Sequence, residues 1–98
     1  MKLFAVLRSR GPAFDSAQPL EQQQGWSDHA AFMNGLVSEG FVVIGGPLEG
    51  TSEVLLIVRA RDESEARSRL AEDPWSRRDL LRLERVAPWT LRLGSLSS

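Results

Sequence analysis

Residues 41–60, FVVIGGPLEGTSEVLLIVRA, decide how this chain folds. FVVIGG (41–46) is a continuous apolar, β-branched run cut off by Gly45-Gly46-Pro47, the pattern of a buried strand followed by a turn. SEVLLIVRA (52–60) is a second such run, close enough to pair with the first as a long hairpin. The cores of these runs, FVVI and VLLIV, are apolar at every position rather than at alternate ones. Strands of that kind are covered on both faces.

Upstream, KLFAVLRS (2–9) reads as another strand, ending before Gly11-Pro12. Residues 11–25, GPAFDSAQPLEQQQG, show no clear periodicity and form a connecting loop, long enough to serve as a lid or wall. From Trp26 the apolar positions Trp26, Ala30, Met33 and Val37, with Phe32 and Leu36, fall at helical spacing. Ser27 or Asp28 is the expected cap and Gly40 the stop. Downstream, RDESEARSRLAEDP predicts a second helix with Asp62 and Glu65 at capping-box spacing and Ala66 and Leu70 inward. Glu63/Arg67 and Glu65/Arg69 are expected as i,i+4 pairs, and Pro74 ends the helix at Asp73. LLRLERVAPWTLRL (80–93) predicts a last strand with Leu81, Leu83, Ala87, Trp89, Leu91 and Leu93 on one face. Pro88 marks an edge or bulge there.

The order is βαββαβ, an α+β ferredoxin-like pattern with an antiparallel sheet and two helices on one face. Those helices cover one side of strands that are apolar on both. The other side calls for a cover, and the simplest is a second copy. A homodimer with sheets face to face is therefore expected.

Length and composition set the remaining bounds. At 98 residues this is one domain, read as 1–93 with a loose tail at 94–98. A net charge of −1 gives no field for nucleic acid or an anionic membrane surface. The nine arginines between 59 and 92 face seven acids, which reads as a solvated surface. There is no cysteine, hence no disulfide, thiolate nucleophile or Cys-ligated metal. MKLFAVLRSRG is too short an apolar run for a signal peptide or membrane span, so a cytoplasmic location is expected.

His29 is the sole histidine. In a βαββαβ fold, the start of helix one, the end of strand two and the end of helix two meet at one end of the sheet. That brings His29, Gly45-Gly46-Pro47 and Asp73 toward each other. A catalytic reading pairs His29 with Asp73: imidazole titrates near neutrality, and a carboxylate on one ring nitrogen fixes its tautomer. The helix dipole opposes the cation that Asp73 favours. A plain reading makes His29 one more helix residue and Asp73 a helix-end residue. Around the pair, Trp26, Gly46, Pro47, Trp75 and Arg85 are the candidate substrate contacts: Trp75 as a pocket wall, Arg85 as a carboxylate anchor or a rim residue. No metal-ligand set is visible, and no cofactor is expected.

The stretches DHAAFMNGLVSEGFVVIGGPL, LLIVRARDESEARSRLAEDPW and VAPW together resemble the YciI-like (YCII-related) proteins, over about Met1 to Trp89. The resemblance implies a dimeric α/β barrel and a His–Asp dyad, falling here on His29 and Asp73. It brings a related enzyme that removes chloride from a chlorinated hydroxyquinol, with muconolactone isomerase and cofactor-free monooxygenases as wider relatives. One departure is that many members carry arginine three residues before the histidine, where this chain has Trp26. Arg8 or Arg85 would have to supply that charge. Two functions stand: a cofactor-independent lyase, dehalogenase or isomerase using His29 and Asp73 on a small aromatic or enolisable substrate, or a non-catalytic dimeric module that binds a small ligand or a partner protein.

Overall fold

The structure, a computed structural model, describes residues 1–96. Its elements are β1 (Lys2–Arg10), a 3-10 turn (Leu20–Gln22), α1 (Trp26–Ser38), β2 (Val42–Pro47), β3 (Glu53–Ala60), α2 (Glu63–Ala71), a short α3 (Pro74–Arg77) and β4 (Leu81–Trp89). The strands form one antiparallel sheet in the order β2-β3-β1-β4, which is the ferredoxin-like α+β arrangement. The two central strands, β3 and β1, carry the apolar runs VLLIV and FAVL. Both have strands on either side and one face under the helices, which favours apolar side chains.

The pleat divides the sheet into two faces. Phe4 and Val6 of β1 oppose Val58 and Leu56 of β3 and join Leu36 of α1 and Ala66 and Leu70 of α2 in one buried cluster. Leu3, Ala5 and Leu7 point the other way, opposite Arg59, Ile57 and Leu55. That second face extends to Ile44, 51% exposed, and Trp89, 37% exposed.

Several local expectations are corrected. Leu81 and Leu83 do not share a face with Ala87 and Trp89. Register shifts between Leu7 and Arg8, with Arg8 opposite Leu83 and Leu7 opposite Arg85, so Glu84 is an extra residue. Such a bulge flips the alternation beyond it. Leu83 therefore packs on the helix-side core, while Ala87 and Trp89 pair with Ala5 and Leu3 on the other face. Leu91 and Leu93 lie beyond the strand's end.

Helix one is not capped by Ser27 or Asp28: Gly25 holds the cap position, with no side-chain cap. At its other end Gly40 takes φ 81°, and Phe41 N–H reaches Leu36 O, which closes a Schellman turn. Asp62 caps α2 through Glu65 N–H as expected, and Arg67 pairs with Glu63 at 2.8 Å. Glu65, however, pairs with Arg61, and Arg69 reaches across to Glu39. Within the expected tail, residues 94–96 are neither helix nor strand, and 97–98 lie outside the described residues. No helix among the described residues is long and apolar enough to cross a membrane.

The loop 11–25 is tied down along its length. Gly11 lies so close to residue 79 that a Cβ would sit 2.1 Å from Asp79 O, which only glycine allows. Phe14 is buried against Trp75 under the Arg10 guanidinium. Buried Gln23 accepts from Asp15 N–H (2.9 Å) and donates to Asp15 O (2.7 Å) and Gln18 O (3.0 Å). Gln23→Ala is expected to lower stability by about 1–3 kcal/mol in urea titration, because it strands buried backbone groups. It is also expected to open residues 12–24 to limited proteolysis.

Candidate active site

His29 enters through the start of α1. Gly25 turns the chain into the helix with φ 79°, and His29 N–H closes the first bond on Gly25 O at 3.0 Å. A side chain at residue 25 would displace the flexible end of Arg78, whose Nη1 lies 2.6 Å from where its Cβ would be, and would strain the backbone at this positive φ. The neighbouring Gln24 carbonyl accepts from Trp75 Nε1 at 2.9 Å, which fastens the start of α1 to α3. Within α1 the buried positions are His29 and Leu36, seven residues and two turns apart, so the imidazole shares the core-facing stripe.

Asp73 comes from the break between α2 and α3. Pro74 follows it, and Asp73 leaves helical geometry at ψ 128° to cap α3 by accepting Trp75 N–H at 2.9 Å. The carboxylate is wholly buried, 0% exposed. His29 Nδ1 lies 2.9 Å from each of its oxygens. Arg8 Nη1 donates to Oδ2 at 2.8 Å. Burial works against the charge on Asp73. The hydrogen bonds from His29 and the Trp75 amide, the His29 charge when the ring is protonated, and the bond from Arg8 outweigh it. They hold the carboxyl below its usual value. Burial lowers the Arg8 value in turn, opposed by Asp73, and the guanidinium stays cationic. An ionised carboxylate only accepts, so the proton of a neutral His29 sits on Nδ1 and leaves Nε2 as the free lone pair.

Aromatic rings hold the imidazole from the side. The Trp75 indole stacks on it with centroids 3.9 Å apart and planes 5° from parallel. Trp26 tilts over both, 5.9 Å from His29 and 5.8 Å from Trp75, and Phe14 meets the indole edge-on. Trp75 is 1% exposed, so it does not wall a pocket for a planar ligand as the sequence suggested: its faces already meet protein. One face lies flat on His29 instead.

Of the other expected contacts, Trp26 is half-buried beside His29. Pro47 shares the cross-strand row of Val54 and Arg8, two strands and about 10 Å from Arg8. Gly46 and Arg85 lie elsewhere. Gly46 opposes Leu55, and Arg85 opposes Leu7, on the sheet face turned away from the helices. There Arg85 sits among Ala5, Leu7 and Leu55. The bulge at Glu84 put Arg85 on that side.

Arg8, which the sequence offers as a possible substrate anchor, is buried and donates to Asp73. Its Nη2 lies 3.6 Å from Met33 Sδ, and its Nε is, among the described residues, the one buried side-chain nitrogen or oxygen with no partner. The signal was present in alternation: Phe4, Val6 and Arg8 fall on one face, which places a charge in a buried row. A cavity of about 380 Å³ opens between α2, α3 and β4, with Arg8 and Leu81 in its wall and Arg82 at its rim. No group of three or more His, Asp or Glu is placed to hold a metal ion among the described residues.

The antiparallel ferredoxin-like sheet thus carries a buried His–Asp–Arg cluster under its helices. The YCII-related domain matches residues 3–90, and the chain belongs to that family. Among solved structures, it is similar to 5-chloro-2-hydroxyhydroquinone dehydrochlorinase from Burkholderia phenoliruptrix AC1100, in complex with 2,5-dihydroxybenzoquinone. The TM-score is 0.57 at 20% identity, covering 94% of this chain and 95% of that one, a likeness of fold. No curated protein matches the chain by sequence.

Because folding lowers the Asp73 value, the stability it contributes is complete above the ordinary carboxylate value of about 3.9 and is lost as pH falls through the folded value. The urea midpoint of the parent is therefore expected to drop on acidification below about pH 4. Asp73→Asn is expected to be less stable at pH 7 by about 3 kcal/mol, with a flatter acid limb, since Arg8 is left uncompensated.

Proposed function

We propose that this chain is a small enzyme in which His29 moves a proton, oriented by Asp73, on a small aromatic or enolisable substrate, without a cofactor in that step. One observation carries the reading: His29 is fixed at Nδ1 by a buried carboxylate and at its face by an indole, while Nε2 makes no hydrogen bond among the described residues. A ring held so has one working atom. Nε2 takes a proton from an acidic O–H or C–H. The electron pair left on the substrate then expels a leaving group such as chloride, or is reprotonated elsewhere, while Asp73 balances the imidazolium. Lyase, dehalogenase and isomerase chemistry share this step. The fold neighbour's chlorinated hydroquinone makes hydroxylated rings the first substrates to try.

The test is chloride release from 5-chloro-2-hydroxyhydroquinone, with binding of 2,5-dihydroxybenzoquinone read by tryptophan fluorescence. The parent is expected to bind the quinone, and His29→Ala to lose turnover about 100-fold or more with its fold intact. Unchanged turnover in that variant overturns the assignment. Binding that depends on His29 with no turnover is the result a non-catalytic module would give.

We infer further that two copies pair through the sheet face opposite the helices, in the manner of a dimeric α/β barrel. Leu3, Ala5, Leu7, Ile44, Leu55, Ile57, Ala87 and Trp89 make that face apolar. A standard interface needs about 800 Å² from each partner, within reach of a four-stranded sheet face. Light scattering is expected to give twice the chain mass for the parent and the single mass for Ile44→Lys. A parent that stays single at high concentration refutes it. The lack of cysteine suits a reducing compartment, so we place the protein in the cytoplasm.

A further inference from the structure

We propose that Arg8 is a positioning residue of the site: by occupying one oxygen of Asp73 it keeps His29 in its neutral, proton-accepting form. This rests on His29 being the proton-moving group. The cluster contains one buried carboxylate and two groups able to carry positive charge against it. Arg8 is 2% exposed, permanently cationic and bound to Oδ2 at 2.8 Å. His29 shares both oxygens through Nδ1. With Arg8 in place the carboxylate is already neutralised, and protonating His29 would leave a buried net positive charge. Without Arg8, the imidazolium would be the only cation beside Asp73 and would be favoured.

The start of α1 acts in the same sense as Arg8. His29 is the fourth residue of the helix, where exposed N–H groups disfavour a cation. Of the other charged groups on the surrounding elements, Asp28 on α1, Glu72 after α2, Arg67 on α2, Arg77 and Arg78 on α3, and Arg82 on β4 are exposed. Glu65 and Arg69 on α2 are half-buried but face Arg61 and Glu39, and half-buried Asp79 faces Arg82. Arg67 and Arg82 are paired with Glu63 and Asp79. None competes for Asp73, so the balance inside the cluster is set by Arg8.

Arg8 ties β1 to the helices through Asp73, and removing either partner alone is costly, so its electrostatic role is read separately from its structural one. Its division of labour with Asp73 is chemical: Asp73 fixes the tautomer and aim of the ring, and Arg8 limits how strongly that carboxylate holds the ring charged.

The experiment needs no substrate. His29 is the sole histidine, so its ring Cε1–H gives one resolvable histidine NMR signal, which is titrated in the parent and in Arg8→Met, Arg8→Gln and Arg8→Lys. The midpoint is expected to rise by about one to two pH units in Arg8→Met and Arg8→Gln, and to stay near the parent's in Arg8→Lys. Coinciding midpoints in parent, Met and Gln variants overturn the proposal and leave Arg8 a packing residue. If Arg8→Met does not fold by circular dichroism, the Gln–Lys pair decides, since both can donate to Asp73 and only one is charged. A shifted midpoint together with full activity in His29→Ala would refute the catalytic reading and leave the charge balance standing.

Discussion

The carboxylate of Asp73 is the fixed point of the molecule. Withdrawing such a group from water costs several kcal/mol unless its oxygens are fully met by donors. Here the donors come from three parts of the chain: Arg8 on β1, His29 on α1 and the Trp75 amide on α3. Each arrives with its own element, so satisfying one buried anion docks helix to strand and helix to helix. Trp75 extends the grip, since its ring lies on His29 and its Nε1–H holds the Gln24 carbonyl before α1. The loop that precedes α1 is drawn in as well, with Phe14 against the same indole.

The two faces of the sheet do different work. On the helix side, Phe4 and Val6 lead along β1 from the main core to Arg8, so the charged cluster lies at one end of an otherwise apolar layer. On the far side the same strand presents Leu3, Ala5 and Leu7, flanked by Ile57, Leu55 and Ala87. The bulge at Glu84 assigns β4 to both tasks. Residues before it, Leu81 and Leu83, pack beneath the helices, and Arg85, Ala87 and Trp89 after it belong to the outer face. One inserted residue thus separates Arg85 from the histidine site.

The imidazole is held at one ring nitrogen and on one face. It is 8% exposed. Such fixing leaves the ring little rotamer freedom. The cavity of about 380 Å³ among α2, α3 and β4 reaches the cluster at Arg8.

Element order, the doubly apolar strands, the capping of α2 by Asp62 and the identity of His29 and Asp73 as candidates were all legible in the residues. These are properties of period and spacing within short windows, and βαββαβ topology fixes which element ends meet. What the chain could not announce is anything set by contacts between distant windows. The phase of β4 is not legible locally, because the bulge arises from pairing with β1 and not from the sequence of β4 alone. Gly25 at the cap, Gln23 under its loop and the stacking of Trp75 depend on where Arg78, Asp15 and His29 come to lie. Arg8 is the intermediate case: alternation put it on the buried face, but only tertiary structure gave its charge a partner. Local physics decided which segments are strands and helices, and the need to satisfy one buried carboxylate decided which of their side chains meet.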